Sequence, residues 1–375
     1  MVVSLKSLCK RFSSGDRIEA YKIKKFGKYP VFGGNGIRGY TDIYNFDGRC
    51  AVIGRQGANC GNVKYFCGKA FMTEHAVVVE ANEYNDIGYL SYRMSLMDLG
   101  KFQSQSAQPG LSVKTISEIP IEVPNLNIQK KIWKILNNIS EKTNNNNHIN
   151  NNLEGLMRII YQRWFIEFEF PDEEGKTYKS NGGKLVYNDI LKKQIPEKWS
   201  VKKIGELTEV ITGKEDANFS TQNGKYKFFT CSNEILQCDV SAFEGSSILI
   251  AGNGDFNVKH YTGRFNAYQR TYVLIPRDIS LYCIMYISAL YKINSFKRGS
   301  NGSIVKFITK NDVENIDVLI PNQKELLKEL NKIIFKIEKN NMENDKLKEL
   351  KEFILPLLMN GQINIDDIEI KSDKL

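Results

Sequence analysis

The chain is poor in the residues from which most enzymes assemble a site. Its 375 residues include three histidines, nine prolines without a Pro-Pro dipeptide, and seven cysteines without a Cys-x-x-Cys pair. Three histidines leave little from which to build a His-based metal or acid–base centre. Cys60/Cys67 and Cys231/Cys238 share a seven-residue spacing, but the two pairs do not coincide under the chain's internal repeat, so zinc is not expected. No run of 18 apolar residues occurs, which argues against a membrane span. Residues 1–10 also lack the apolar core of a signal peptide. An odd cysteine count without an export signal reads as reduced thiols in a cytoplasmic protein.

What the chain does have is bulk and a modest positive charge. A hydrophobic fraction of 42% and a charged fraction of 25% suit an ordinary globular protein of two or three domains. The net charge of +9 is unevenly spread: residues 1–124 carry 16 Lys/Arg against 11 Asp/Glu, and residues 196–321 carry 15 against 13. A basic excess of this size is compatible with nucleic acid without establishing it.

The chain is internally duplicated. Asp47-Gly48 and Cys50 to Gly57 reappear as Glu244-Gly245 and Ser247 to Gly254; Asn62-Val63-Lys64 returns as Asn257-Val258-Lys259, and Gly68-Lys69 as Gly263-Arg264. Val77-Val78 matches Tyr272-Val273, and Ile119 to Pro124 matches Ile316 to Pro321, at offsets of 195 to 197. Each half therefore has one plan: a β-rich domain, a Pro-punctuated apolar strand, then a long helix. Short β-branched runs bounded by glycine predict strands at 49–53, 75–80, 247–250 and 271–275, whereas 87–99 and 281–296 read as helices. A capping-box-like Asn322 with Glu325 opens the second long helix, and Asn360-Gly361 closes it. Between the halves, residues 171–195 form a connecting segment with one short strand near Lys184–Tyr187.

The first long helix runs from Ile128 to Trp164. Ile128, Ile132, Ile135, Ile139, Ile149, Leu153, Leu156 and Ile160 fall on a 3-4 spacing with Lys142, Asn146 and Arg163, the pattern of a coiled-coil seam. The register passes straight through Asn144 to Asn147, so this run is read as a polar stretch of one helix where seam packing relaxes or partners dock. At about 1.5 Å per residue the helix extends roughly 55 Å. Its partner is the second helix, whose seam is Leu326, Leu330, Ile333, Ile337, Leu347, Ile354 and Leu358.

Catalytic motifs are incomplete. Phe32-Gly33-Gly34-Asn35-Gly36 spells the F-x-G-x-G of adenosylmethionine-dependent methyltransferases, but the residues from Ile37 to Asp42 are not helix-forming, and the N/D-P-P-Y/F partner motif is missing. Pro171-Asp172 with Glu174 and Lys176 has the letters of a PD-(D/E)xK nuclease, with too few residues between the acids to place them on neighbouring strands. A set of polar loops remains. Arg55, Gln56 and Asn59 occupy the place in the first domain that Asn253, Asp255 and Asn257 occupy in the second. Arg, Gln and Asn are the side chains that read guanine and adenine edges. Asn35, Arg38 and Tyr40 on the glycine-rich run, with His75, His260 and Arg270, are further candidates. Lys64, Lys69, Lys259, Arg264, Lys297 and Arg298 are candidates for phosphate contact. The same side chains suit solvated turns, and the residues alone leave both readings open.

Four stretches resemble the specificity subunit of type I restriction–modification systems. Tyr29-Pro30-Val31-Phe32-Gly33-Gly34-Asn35-Gly36-Ile37-Arg38-Gly39-Tyr40 is similar to the family's glycine-rich entry to a target-recognition domain. Phe165 to Lys184 is similar to its central conserved region, Ile195-Pro196-Glu197-Lys198-Trp199 to the opening of a recognition domain, and Leu355 to Ile363 to its C-terminal signature. The first domain lacks an Ile-Pro-x-x-Trp opening, which leaves its N-terminal boundary open. The resemblance implies an α+β fold: two β-rich mixed target-recognition domains in pseudo-twofold repeat (1–124 and 196–321), separated by a long antiparallel two-helix coiled coil (125–170 and 322–361), with a connecting segment at 171–195 and a tail at 362–375. It further implies a non-catalytic subunit that binds double-stranded DNA, each domain reading one half of a split target. Two methyltransferase subunits would bind S-adenosylmethionine, and restriction/translocase subunits would join them. The alternatives are a stand-alone adenine-specific DNA methyltransferase and a scaffold without partners.

Overall fold

The computed structural model describes residues 2–57, 60–103, 110–172, 174–298 and 307–365, leaving aside the side chains of 296–298. It divides into two units: one comprises residues up to Thr143 together with those from Asp345 on, and the other Asn144–Asn344.

In the first unit, the strands are β1 (Val3–Ser4), β2 (Cys9–Ser14), β3 (Tyr29–Gly33), β4 (Gly36–Thr41), β5 (Phe46–Gly54), β6 (Val63–Met72) and β7 (Ala76–Ala81). Helices α1 (Ile87–Ser95) and α2 (Val113–Ser117) come next, then β8 (Pro120–Ile121) and the long helix α3 (Leu126–Tyr161). A hairpin of β9 (Leu185–Asn188) and β10 (Lys193–Pro196) precedes the second repeat. That repeat holds β11 (Ser200–Lys203), α4 (Ile204–Leu207), β12 (Val210–Thr212), β13 (Tyr226–Phe229), β14 (Ile235–Cys238), β15 (Phe243–Ala251), β16 (Val258–Ala267) and β17 (Thr271–Leu274). It ends with α5 (Tyr282–Arg298), α6 (Lys310–Glu314), β18 (Asp317–Ile320) and the second long helix α7 (Lys324–Met359).

The two sheets have the same strand order, β2-β7-β5-β6-β3-β4 and β12-β17-β15-β16-β13-β14. Each is antiparallel except for one parallel pair, β3 with β6 and β13 with β16. The small pairs β1–β8 and β11–β18 correspond as well. The duplication legible in the sequence is thus a duplication of fold. The connecting segment contains two strands rather than one, because Lys193–Pro196 turns back on Leu185–Asn188.

The centre of each sheet is buried on both faces, along β7 and β17 and the second halves of β5 and β15, which is why these stretches read as unbroken apolar runs. Ala51, Ile53, Val77 and Val79 point to a core with α1 and the ends of the long helices, while Cys50, Val52, Ala76 and Val78 point to a second core with Phe32, Phe46 and Met72. The second unit alternates likewise, Ile248 and Ile250 to one side and Leu249 to the other. Gly48 pairs with Gly68, and Gly245 with Gly263, all four at φ between 125° and 146°. That backbone region is open to glycine and strained for other residues.

Each long helix is tied to its domain by a buried amide. Gln129 Oε1 accepts from the Asp86 amide at 2.8 Å and its Nε2 donates to Pro124 O at 2.8 Å; Asn331 Oδ1 accepts from the Cys283 amide at 3.0 Å. In the second unit Glu338 of α7 adds a buried carboxylate. It accepts from Tyr282 Oη at 2.5 Å and from Thr262 Oγ1, with His260 Nδ1 at 3.0 Å. Burial beside this carboxylate raises the Tyr282 phenol pKa far above the tyrosine range.

The long helices pair antiparallel. In the first unit Lys351 Nζ donates to Ser140 Oγ at 2.7 Å. In the second, Asn146 Nδ2 donates to Asn344 Oδ1 at 2.9 Å, Asn150 Nδ2 to Asn341 Oδ1 at 2.8 Å, and Asn340 Nδ2 to Asn150 Oδ1 at 2.8 Å. The asparagine run is helical as expected, but its seam is not relaxed: Asn146, Asn150 and Asn340 are 1%, 6% and 2% exposed. The seam itself also departs from expectation. Along α3 the buried positions include Ile132, Leu136, Asn146, Asn150, Met157 and Tyr161, whereas Leu156 is 45% exposed. A straight helix of about 3.6 residues per turn drifts off a strict 3.5 repeat, so the seam passes from the expected Leu156 to its neighbour Met157. The helix α7 begins at Lys324, two residues past the expected cap at Asn322. Its other end matches expectation, with Gly361 at φ 68°, Gly361 N donating to Leu358 O and Gln362 N to Leu357 O, a Schellman motif.

Candidate nucleic-acid interface

Three connections meet at one end of the first sheet: the Gly34–Asn35 turn, the loop entered at Arg55, and the turn at Thr73 to His75. Thr73 N donates to Phe32 O at 3.0 Å and Arg55 N to His75 O at 3.1 Å. A Cβ on Gly34 would stand 2.9 Å from the Gln56 carbonyl oxygen. Asn35, Gln56 and Lys64 are exposed here and His75 is half-buried, its Nε2 3.5 Å from Glu74 Oε1. Arg38 is exposed, with its stem lying over Gly33, and Tyr40 is partly exposed on edge strand β4. Lys69 lies farther along β6, over the Tyr44 ring at 4.7 Å and 3.7 Å from Asp47.

Arg55 is the hub of this end rather than a free reader. Its Nε donates to Leu111 O at 3.0 Å, and its Nη1 to Ser14 Oγ at 3.0 Å and Glu74 O at 3.3 Å. A half-buried arginine that spends its donors on backbone carbonyls and a hydroxyl has few left for a base.

The second sheet repeats the arrangement with different side chains. Asn233 Nδ2 donates to Asp255 Oδ2 at 3.2 Å, Asn257 Nδ2 to Cys231 O at 2.8 Å, and Lys259 Nζ to the carbonyls of Thr230 and Ser232. Burial holds the Lys259 ammonium pKa below its ordinary value. Lys259 and Asn257 thus brace the loops from below, as Lys64 approaches the Gly36 turn in the first unit, where a Cβ on Gly36 would be 3.0 Å from its Nζ. Gly252 N donates to Arg270 O, as Arg55 N does to His75 O. Arg270 and Asp255 are exposed, Asn253 is half-buried, and Arg264 stacks over the Tyr226 ring at 5.0 Å.

His260 does not belong to this surface. It is buried against Glu338 and the Tyr286 ring, because β16 alternates and residue 260 faces the helices. Asn59 and the side chains of Lys297 and Arg298 lie outside the described residues.

A model of the family described as "Type I restriction modification DNA specificity domain" matches residues 1–155 and again 196–352. The chain belongs to this family. It is 34% identical over 177 residues to the EcoDI specificity subunit of Escherichia coli, a match covering 45% of this chain and 40% of that one. It is 40% identical over 138 residues to the EcoprrI specificity subunit of the same organism, covering 36% and 34%. The aligned stretches thus span well under half the length of these two relatives. The MjaIX specificity subunit of Methanocaldococcus jannaschii is 24% identical over 295 residues, covering 70% and 65%. In fold the chain is similar to a crystal structure of a type I restriction-modification system S subunit from M. genitalium, with TM-score 0.63, 18% identity and 96% of each chain covered.

In the folded chain the catalytic look-alikes are turns. Phe32 to Gly36 forms the β3–β4 hairpin, with Gly36 at φ 90°. Asp172 spends Oδ1 on the amides of Glu174 and Lys176 within one turn. Among the described residues no group of three or more His, Cys, Asp or Glu is placed to hold a metal ion, and no helix is long and apolar enough to cross a membrane.

One loop of the first specificity domain lies outside the residues that sequence reasoning singles out. Between β2 and β3, residues 15–28 place Arg17, Lys22, Lys24, Lys25 and Lys28 among the exposed rings of Tyr21 and Phe26. The signal is present as basic residues interleaved with aromatics, the footprint of nucleic-acid binding. The equivalent loop of the repeat, residues 213–225, lacks this interleaving, so the duplication does not point to it.

Proposed function

We propose that the chain is the non-catalytic DNA-recognition subunit of a type I restriction–modification complex, each domain reading one half of a bipartite target on double-stranded DNA. One observation carries this reading: two domains of identical strand order present equivalent loop ends built with different side chains. His75 stands where the second domain has Arg270, and Gln56 where it has Asn253. A shared frame with altered tips is what two different half-targets require. The paired helices would set the interval between half-targets, since 36 residues at about 1.5 Å each extend roughly 54 Å, ample for the approximately 34 Å turn of duplex DNA. Two methyltransferase subunits would dock on the helical region and bring the S-adenosylmethionine. Restriction/translocase subunits would complete the assembly, working in the cytoplasm.

Sequencing methylated bases in cells with and without the gene tests the proposal. The expected result is a split adenine-methylation motif that vanishes on deletion. An unchanged methylome would refute it. Binding of S-adenosylmethionine by the chain alone would favour the stand-alone methyltransferase instead.

A further inference from the structure

The two domains differ in charge, and one loop accounts for the difference. Residues 1–124 carry a net +5 and residues 196–321 a net +2. In the first domain residues 15–28 hold five cations against Asp16 and Glu19; the equivalent residues 213–225 hold Lys214 and Lys225 against Glu215 and Asp216. The loop is fixed to the sheet. Lys24 N donates to Tyr40 O at 2.8 Å and Tyr40 N returns to Lys24 O at 2.9 Å, so the loop covers edge strand β4. Lys22 pairs with Glu19 and Lys24 with Asp42, whereas Arg17, Lys25 and Lys28 make no ion pair among the described residues. Tyr21 and Phe26 are 75% and 76% exposed. A loop shaped only for solubility gains nothing by exposing two rings between its cations, while a surface that meets a phosphate backbone uses both.

We propose that residues 17–28 grip the DNA backbone in a way particular to the first domain, so that the two domains hold the duplex unequally. The second domain then relies on its loop tips with little electrostatic support. This rests on the reading that the chain binds double-stranded DNA, and its test is separate from the methylome experiment.

The test measures binding of the full chain to a fluorescent double-stranded oligonucleotide of arbitrary sequence across a salt series. Removing one phosphate contact lowers the slope of log K against log salt by about 0.9. Arg17→Gln/Lys25→Gln/Lys28→Gln should lower the slope by roughly 2 to 3, with unchanged thermal unfolding. Lys214→Gln/Lys225→Gln in the second domain should leave the slope as it was. Tyr21→Ser/Phe26→Ser should weaken binding several-fold without changing the slope, since rings carry no charge. An unchanged slope in the triple variant, or an equal fall in the two loop variants, overturns the proposal. So does loss of retention on phosphatidylserine vesicles with duplex binding unaltered. A wild-type chain that binds no duplex even at low salt overturns the loop proposal, while the split methylation motif still judges the function by itself.

Discussion

Arg55 donates from Nε to the carbonyl of Leu111 at 3.0 Å, and in the second domain the hydroxyl of Tyr272 donates to the equivalent carbonyl of Ile308 at 2.8 Å. The repeat aligns Arg55 with Gly252 and Val77 with Tyr272. One domain fills the space from the loop, the other from the neighbouring strand: a Cβ on Gly252 would come within 3.1 Å of the Tyr272 ring. Two different residues at two different positions meet one structural need. Arg55→Gly should therefore destabilise the chain by about 1–3 kcal/mol, the cost of stranded buried acceptors. Arg55→Gly/Val77→Tyr should recover at least half of that loss in denaturant unfolding. A double variant no more stable than the single would show that the two arrangements are unrelated.

The asparagine ladder in the second unit gives a contrast between one change and two. Asn150→Ala leaves Asn340 and Asn341 without their partner and should cost about 1–3 kcal/mol. Asn150→Leu/Asn340→Leu replaces both sides of one rung by apolar groups and should be neutral or stabilising in thermal unfolding. What the ladder contributes is then register, since polar seam residues tolerate only one alignment. A double variant less stable than Asn150→Ala would sink this account.

Much of this fold is legible in the sequence, for a physical reason. The repeated Asp47-Gly48 and Gly68-Lys69 motifs carry the paired glycines of the long hairpins, and their positive φ admits few alternatives. The continuity of α3 through four asparagines is legible because the seam register never breaks. The turn from Leu156 to Met157 is not, because a heptad count holds its phase while a real helix drifts. At the candidate site the loops are legible but several roles are not. Arg55, Asn257, Lys259 and His260 have the chemistry of readers and are held by carbonyls or a carboxylate that only the folded chain brings to them.

The buried thiols make an alkaline prediction. Burial pushes the Cys50 thiol up to about 12 from an ordinary value of 9.0. An acid whose folded pKa is raised contributes stability that is fully present below its unfolded pKa and is lost as pH rises above it. Stability should thus fall between pH 9 and about 12, with Cys50 contributing roughly 1.4 kcal/mol per pH unit. Cys50→Ala should flatten the decline by one proton in denaturant titrations across that range. An unaltered slope would mean that the thiol is not buried in the folded chain.

If the helix pair sets the interval between half-targets, its length is the variable to change. The pairing that joins Ser140 to Lys351 places the junction after Lys142 opposite the junction after Lys348. Seven residues inserted at both junctions add two turns and nearly preserve the helix faces, because 3.6 residues per turn brings the seam back within about 20°. The added length is about 10 Å, or roughly three base pairs at about 3.4 Å each. The methylation motif of cells carrying such a variant should keep both half-targets and widen the gap between them. An insertion in α3 alone should abolish modification, because the two seams then no longer match. Should the double insertion methylate the original motif at its original gap, the helices do not act as a spacer, and the interval must be set by something other than their length.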